Sequence, residues 1–243
     1  MSPTDAVPVF DPSTIEAAVF DIGGVFLYPH HEQVTEVLDD LGVDRPRELA
    51  EFRRAHHAGV AALSAVIRPT LEHDPTFWQA YDNGYAASLG VSDSQFEAFR
   101  DGVQRREWDW LHEENVASFH ALHASGMPLA IVSNNTGAAP EQMKNHGVCW
   151  VNDLVDLPRV AAIIDSSLVG VAKPDPAIMS PALHALGVPA ERVLYIGDTV
   201  HADIMGATAA GMQSVQLDPF DHHSSYDHAR LVDLAAVNTA LGI

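Results

Sequence analysis

Cysteine is almost missing from this chain. Cys149 stands alone, so no intramolecular disulfide can form, and a reducing, cytoplasmic setting fits that usage. Its expected role is that of a buried structural thiol rather than a nucleophile. Basic side chains are scarce too: 13 Lys and Arg against 33 Asp and Glu give a formal net charge of −20. That balance argues against a nucleic-acid backbone or an anionic membrane as the main partner, since each needs a basic patch. It leaves room for a small anionic substrate, because a metal ion and one lysine can reverse the sign locally. No apolar run approaches the roughly 18 residues of a membrane span. The opening MSPTDAVPVFDPST has neither a basic start nor a long apolar centre, so a secretory signal is not expected. Residues 1–14 read as a proline-containing arm. Internal repeats and low-complexity blocks are lacking.

What is present is an ordinary globular composition. With 243 residues, of which 47% are hydrophobic, the chain can bury one α/β core and still carry an insertion. Short apolar runs at 17–20, 128–133, 161–164, 193–196 and 213–217 read as buried strands. Helical patterns at 113–125, 136–146, 176–186 and 203–210 lie between them. Strands alternating with helices predict a parallel sheet covered on both faces. Residues 30–107 break that rhythm. Val34, Val37, Leu38 and Leu41 share one helical face, and Trp78, Tyr81 and Tyr85 are similarly spaced. The expected organisation is a Rossmann-like core of residues 15–29 plus 108–243, with an α-helical cap at 30–107 above the carboxyl edge of the sheet.

Four stretches carry the chemistry: AVFDIGGVF around Asp21, IVSNN around Ser133, VAKPDP around Lys173, and YIGDTVHAD around Asp198 and Asp203. Three begin where a strand ends, which is where open α/β sheets bind ligands. Asp21 is a candidate nucleophile for phosphorus. Magnesium takes oxygen ligands and keeps several waters, so Asp21 and Asp198 with the Gly23 carbonyl suffice to hold it. Ser133 and the Asn134 backbone N–H are candidates for holding phosphate oxygens. Lys173 would neutralise the nucleophile and the transferring group. Asp203 would fix Lys173 or a metal-bound water. Each signal alone has a plainer reading, such as a helix cap for Asp21 or Ser133. Their fixed order and shared position at the sheet edge join them.

On these four motifs the chain resembles a haloacid-dehalogenase-superfamily hydrolase with an α-helical cap inserted after the first core strand, over about residues 15 to 220. GDTVHADIMGATAAGM is particularly similar to the last motif of that family. The resemblance implies a Rossmann-like core, Mg2+ dependence and hydrolysis of a small phosphorylated metabolite. It implies Asp21 as nucleophile, Ser133 as phosphate binder, Lys173 as the stabilising lysine, and Asp198 as metal ligand supported by Asp203. Family phosphatases usually carry Asp two residues after the nucleophile, as leaving-group acid. Here that residue is Gly23, which has a carbonyl to offer but no proton. General acid–base catalysis is typically worth about 10²–10⁴-fold, so good leaving groups such as anomeric sugar phosphates or acyl phosphates are favoured. Gly23 also feeds a second reading, a weakened relative that binds a ligand or protein through its cap. A third, dehalogenation, has less support. Those relatives are similar to one another in an aromatic residue and Gly-Thr after the nucleophile and need no metal, whereas this chain has Gly-Gly-Val and keeps GDTVHAD.

Histidine is plentiful, at 14 residues. His30 and His31 follow the first strand closely and offer a replacement proton donor, or a solvated pair at the cap hinge. His56 and His57 fall in the cap. His222, His223 and His228 suit a polar loop better than a transition-metal site, and His201 is expected to face solvent. Trp78, Trp108 and Trp110 read as cap packing and hinge contacts. Homodimer formation is open to such a chain, and the sequence does not decide it.

Overall fold

The structure, a computed structural model, describes residues 10–44, 48–65, 75–103 and 107–243. Residues 1–9 of the expected arm and parts of the expected cap lie outside these. The chain divides into two compact units. The first runs to Phe26 and resumes over His112–Pro219 and Ser225–Ile243; the second is Leu27–Leu111 with Phe220–Ser224.

Strands occur in chain order at Ala17–Phe20 (β1), Leu27–Pro29 (β2), Trp108–Leu111 (β3), Leu129–Ser133 (β4), Ile163–Asp165 (β5), Val193–Gly197 (β6), Gln213–Leu217 (β7) and Arg230–Leu231 (β8). In the first unit six of them form one sheet in the order β5-β4-β1-β6-β7-β8, every neighbouring pair parallel. β1, β4 and β6 are buried along their whole length, as a sheet covered on both faces requires. The fold is therefore the expected α/β, Rossmann-like one. Its connections run outward from β1 to β4 and β5 on one side, and then to β6, β7 and β8 on the other. The order reverses between β1 and β6, which is the topological switch point where such sheets bind ligands. Asp21 and Asp198 follow those two strands.

Phe20, Phe26 and Phe119 clamp the chain as it leaves β1. Phe119, from the helix Glu113–Ala124, meets the other two rings edge-on, with centroids 5.1 and 5.3 Å away. Buried Asn115 on the same helix donates to the Val25 carbonyl at 2.8 Å. The turn bearing Gly23 and Gly24 is thus held by the core beneath it. Its left-handed residue is Gly24, at φ 65°.

The second unit holds the helices His31–Asp40 (α1), Leu49–Ala65 (α2), Pro75–Ser88 (α3) and Phe96–Val103 (α4). Val34, Leu38, Phe52, Tyr81, Tyr85 and Phe99 form its core. α2 and α3 approach closely because two glycines leave room. A Cβ at Gly59 would stand 2.7 Å from the Tyr81 ring, and one at Gly84 would stand 2.6 Å from the Ala58 carbonyl oxygen. Trp78 is largely exposed, at 43%, so it contributes less packing than its helical spacing suggested.

Several elements differ from the sequence reading. β2 and β3 pair antiparallel, Tyr28 opposite Trp110, and group with the helices, whereas the sequence reading had put residues 27–29 and 108–111 in the core. They are short, and β2 ends in proline, so they carry no alternation to read. β8 is two residues long and equally silent. β5 is shifted from the apolar run 161–164: it starts at Ile163 and ends at Asp165, which caps the helix that follows. The pattern at 203–210 is a π-helical turn, Val200–Met205, followed by a short α-helix, Gly206–Ala209. Among the described residues no helix is long and apolar enough to cross a membrane.

Candidate active site

The carboxyl edge of the sheet gathers the groups that the sequence singled out. Asp21 leaves β1 with its backbone N–H donating to the Ile196 carbonyl of β6 at 2.9 Å. Lys173 reaches in from the loop before the turn Pro176–Met179, and its side chain is buried. Its Nζ stands 2.9 Å from Asp21 Oδ1 and 2.7 Å from Asp203 Oδ1. The first is a close ion pair whose angle does not make a hydrogen bond, so Asp21 Oδ1 accepts none. The second is a well-formed hydrogen bond.

Asp203 is fully committed. Oδ1 takes Lys173 Nζ and lies 3.0 Å from the Tyr195 hydroxyl; Oδ2 takes the Thr199 N–H at 2.9 Å and the Thr199 hydroxyl at 2.7 Å. The π-helical turn makes this possible. Ile204 N–H reaches back five residues to the Thr199 carbonyl, and the widened turn points Asp203 inward. Asp203 therefore lands on Lys173, one of the two roles its place in the sequence allowed.

Asp198 is buried in the bend after β6. Ligand oxygens of Asp21, Asp198 and Asp203 all lie within 4.8 Å of one another. Three buried carboxylates against one ammonium leave an excess of negative charge that burial makes costly. A divalent cation fits that deficit. With both Asp203 oxygens saturated, Asp21 and Asp198 are the pair able to ligate it. Gly23 lies two residues after Asp21 in the same turn.

The electrostatics follow from burial. The Asp21 carboxyl is pushed up to about 7 by loss of solvent, opposed by Lys173 and reinforced by Asp203 and Asp198. Burial works against the Lys173 charge, but Asp203 and Asp21 outweigh it and hold its pKa well above the ordinary lysine value. For Asp203, burial would raise the pKa, yet Lys173 and the Thr199 hydrogen bonds bring it below the usual carboxylate value.

Ser133 ends β4 and is buried. In register, β4 runs beside β1 with Ile131 opposite Phe20, so Ser133 and Asp21 leave neighbouring strands on the same edge. The Asn134 side chain braces the lysine loop. Its Nδ2 donates to the Lys173 carbonyl at 3.0 Å, and its Oδ1 accepts the Lys173 N–H at 2.7 Å.

The other candidates have surroundings of their own. Burial pushes the Cys149 thiol up to about 12, which makes it inert. His201 is buried rather than solvent-facing, and burial lowers its pKa. His228 Nε2 is hydrogen-bonded to Gln216 Oε1 at 2.7 Å. In the second unit, His30 Nε2 lies 3.9 Å from Asp109, and His31 meets the Trp110 ring edge-on at 5.0 Å. His56 and His57 are buried there, hydrogen-bonded to Tyr81 and Tyr28. His223 bonds Ser64 at 2.9 Å.

Four supporting residues escaped the sequence reading: Thr199, Tyr195, Gln216 and Asp165. Gln216 donates to the Asp198 carbonyl at 2.7 Å. Asp165 accepts the N–H groups of Gly137 and Ala139 at 2.9 and 3.1 Å, pinning the loop after Ser133. Only Thr199, inside the GDT motif, carried a local signal, as a helix N-cap.

Comparison with known proteins identifies the family. A sequence model of the haloacid dehalogenase-like hydrolases matches residues 15–211. A phosphoserine phosphatase of Thermus thermophilus is 29% identical over 193 residues, 77% of this chain and 72% of that protein. A ribulose-1,5-bisphosphate 5-phosphatase of Halopiger xanaduensis is 29% identical over 225 residues, 88% of this chain and 89% of its own length. The solved structure of the hydrolase YfnB from Bacillus subtilis, described as bound to magnesium, shares the fold with a TM-score of 0.59 and 17% identity, covering 94% of this chain and 99% of that one.

Proposed function

Because this chain belongs to the haloacid dehalogenase-like hydrolase family, we propose that it is a magnesium-dependent phosphatase of a small phosphorylated metabolite, such as a sugar phosphate, working through an aspartyl-phosphate in the cytoplasm. The observation that carries this reading is the buried Lys173 ammonium, held 2.9 Å from Asp21 and 2.7 Å from Asp203. Such an ammonium neutralises both a carboxylate nucleophile and a phosphoryl group arriving beside it.

In this mechanism an Asp21 oxygen attacks phosphorus, and the bond from phosphorus to the ester oxygen breaks. Water then attacks the same phosphorus, releases inorganic phosphate and restores the carboxylate. Ser133 and the Asn134 N–H hold the phosphoryl oxygens. Asp203 keeps Lys173 in place. Asp21, Asp198 and the Gly23 carbonyl would hold Mg2+, which supplies charge neutralisation for the phosphoryl group when bound. Gly23 donates no proton, so the leaving group departs as an anion or takes its proton from water. That favours anomeric or acyl phosphates over simple alkyl esters. The relatives named phosphatases support this reaction class.

The test is phosphate release from a panel of phosphorylated metabolites, with Mg2+ and with excess chelator. Release that depends on Mg2+ is expected. Ligand binding without release points instead to a weakened binding module, the reading Gly23 favours. Release of halide from 2-haloacids in chelator points to dehalogenation.

A further inference from the structure

We propose that Tyr195 is a positioning residue of this site, its hydroxyl taking one hydrogen of the Lys173 ammonium beside the one that Asp203 takes, and so aiming that charge at Asp21. The proposal rests on the phosphatase reading for its kinetic consequence only.

An ammonium has three hydrogens. Among the described residues Lys173 Nζ has three oxygen neighbours: Asp203 Oδ1 at 2.7 Å, Asp21 Oδ1 at 2.9 Å and the Tyr195 hydroxyl at 3.1 Å. The hydroxyl accepts from Lys173. Its oxygen lies 3.0 Å from both Asp203 Oδ1 and the Val132 carbonyl, either of which can accept its single proton. Tyr195 is fully buried, and its register partner on β1 is Val19. Its side chain therefore lies across β1 to reach Val132 on β4, next to Ser133. One hydroxyl ties together the lysine, the aspartate that anchors it, and the strand end bearing Ser133. Burial, with Asp203 adding to it, raises the phenol pKa well above its ordinary value, so the group stays a neutral donor and acceptor.

The hydroxyl breaks a symmetry. Asp203 is the nearer of the two carboxylates to Lys173. Without that hydroxyl, Asp203 would be the one hydrogen-bond anchor left to the buried ammonium, which would settle toward it and leave Asp21 less neutralised. Nothing in packing demands a hydroxyl here, since Phe would fill the same volume between β1 and β4.

The chain offers an unusually clean readout, because its lysines are Lys144 and Lys173 alone. In protein labelled with 15N-lysine, a slowly exchanging ammonium signal is expected and remains in Lys144→Arg, which identifies it as Lys173. In Tyr195→Phe the exchange of that ammonium should quicken about tenfold or more. With a substrate that the wild type hydrolyses, kcat should fall about tenfold, while KM stays within about threefold. Unchanged ammonium exchange or unchanged kcat in folded Tyr195→Phe overturns the proposal. Should that variant not fold, the wild type decides: a nuclear Overhauser contact between the Lys173 ammonium and the Tyr195 ring hydrogens is required, and its absence is equally fatal. A wild type inactive on every phosphate ester, yet showing that contact and protection, keeps the lysine's anchoring and discards the phosphatase reading alone.

Discussion

Asp203 occupies the space that a side chain on Gly197 would need. A Cβ at Gly197 would stand 2.5 Å from Asp203 Oδ2, the oxygen that takes both hydrogen bonds from Thr199. The last residue of β6 is small because a carboxylate is folded back against it. Gly197→Ala should push Asp203 away, loosen Lys173, and cost about 1–3 kcal/mol of stability as an overpacked core position does. Urea unfolding measures the stability loss, and phosphate release measures the lysine's displacement. A variant equal to wild type in both would show that Asp203 can move without consequence.

Asp21→Asn should abolish turnover and leave the fold intact. The amide is nearly isosteric but is neither an anionic nucleophile nor a good magnesium ligand. Without metal at about pH 8, the variant should melt no lower than wild type, because it removes an ionised carboxylate that burial disfavours. Activity above about a tenth of wild type would exclude covalent catalysis by Asp21.

Metal binding should depend on pH in a defined direction. Burial holds the Asp21 carboxyl at about 7 in the folded chain, above its ordinary 3.8. Its protonation thus favours folding fully below the unfolded value, and that contribution is lost as pH rises through about 7. A divalent cation competes with the same proton. The rise in Tm on adding Mg2+ should be large near about pH 8 and small near about pH 5. Equal shifts at both would mean that the ion binds elsewhere.

Gly23→Asp should raise hydrolysis of alkyl phosphates by about tenfold or more, by restoring a leaving-group acid. The turn's positive φ falls at Gly24, so a side chain two residues after the nucleophile meets no left-handed backbone requirement there. Steady-state rates on an alkyl and an activated aryl phosphate separate the effects: the alkyl rate should gain most. A folded variant with no gain on either would mean that proton donation does not limit the reaction.

Much of the site was legible because its residues sit in local patterns. An apolar run ending in Asp21, a strand ending in Ser133 and the spacing of Asp198 and Asp203 each declare themselves within about ten residues. The supporting shell was silent for the opposite reason. Gln216 serves Asp198 from a neighbouring strand, and Asp165 serves the 134–139 loop from β5. Each looks in sequence like any polar residue at a strand end. Tyr195 reads as one more buried aromatic in an apolar run, since only its tertiary neighbours make its hydroxyl useful.

The sequence by itself determined the chemical inventory: which carboxylates, which lysine, and that a parallel sheet would present them at one edge. Strand periodicity and chain order suffice for that. Tertiary structure decided how the charges are shared. The strand order puts β1 between β4 and β6, so Asp21 lies beside both Ser133 and Asp198. The π-helical turn then aims Asp203 at Lys173. Those outcomes depend on hydrogen bonds between residues far apart in the chain, and on burial that sets which charges can persist. Neither is a property of any local stretch.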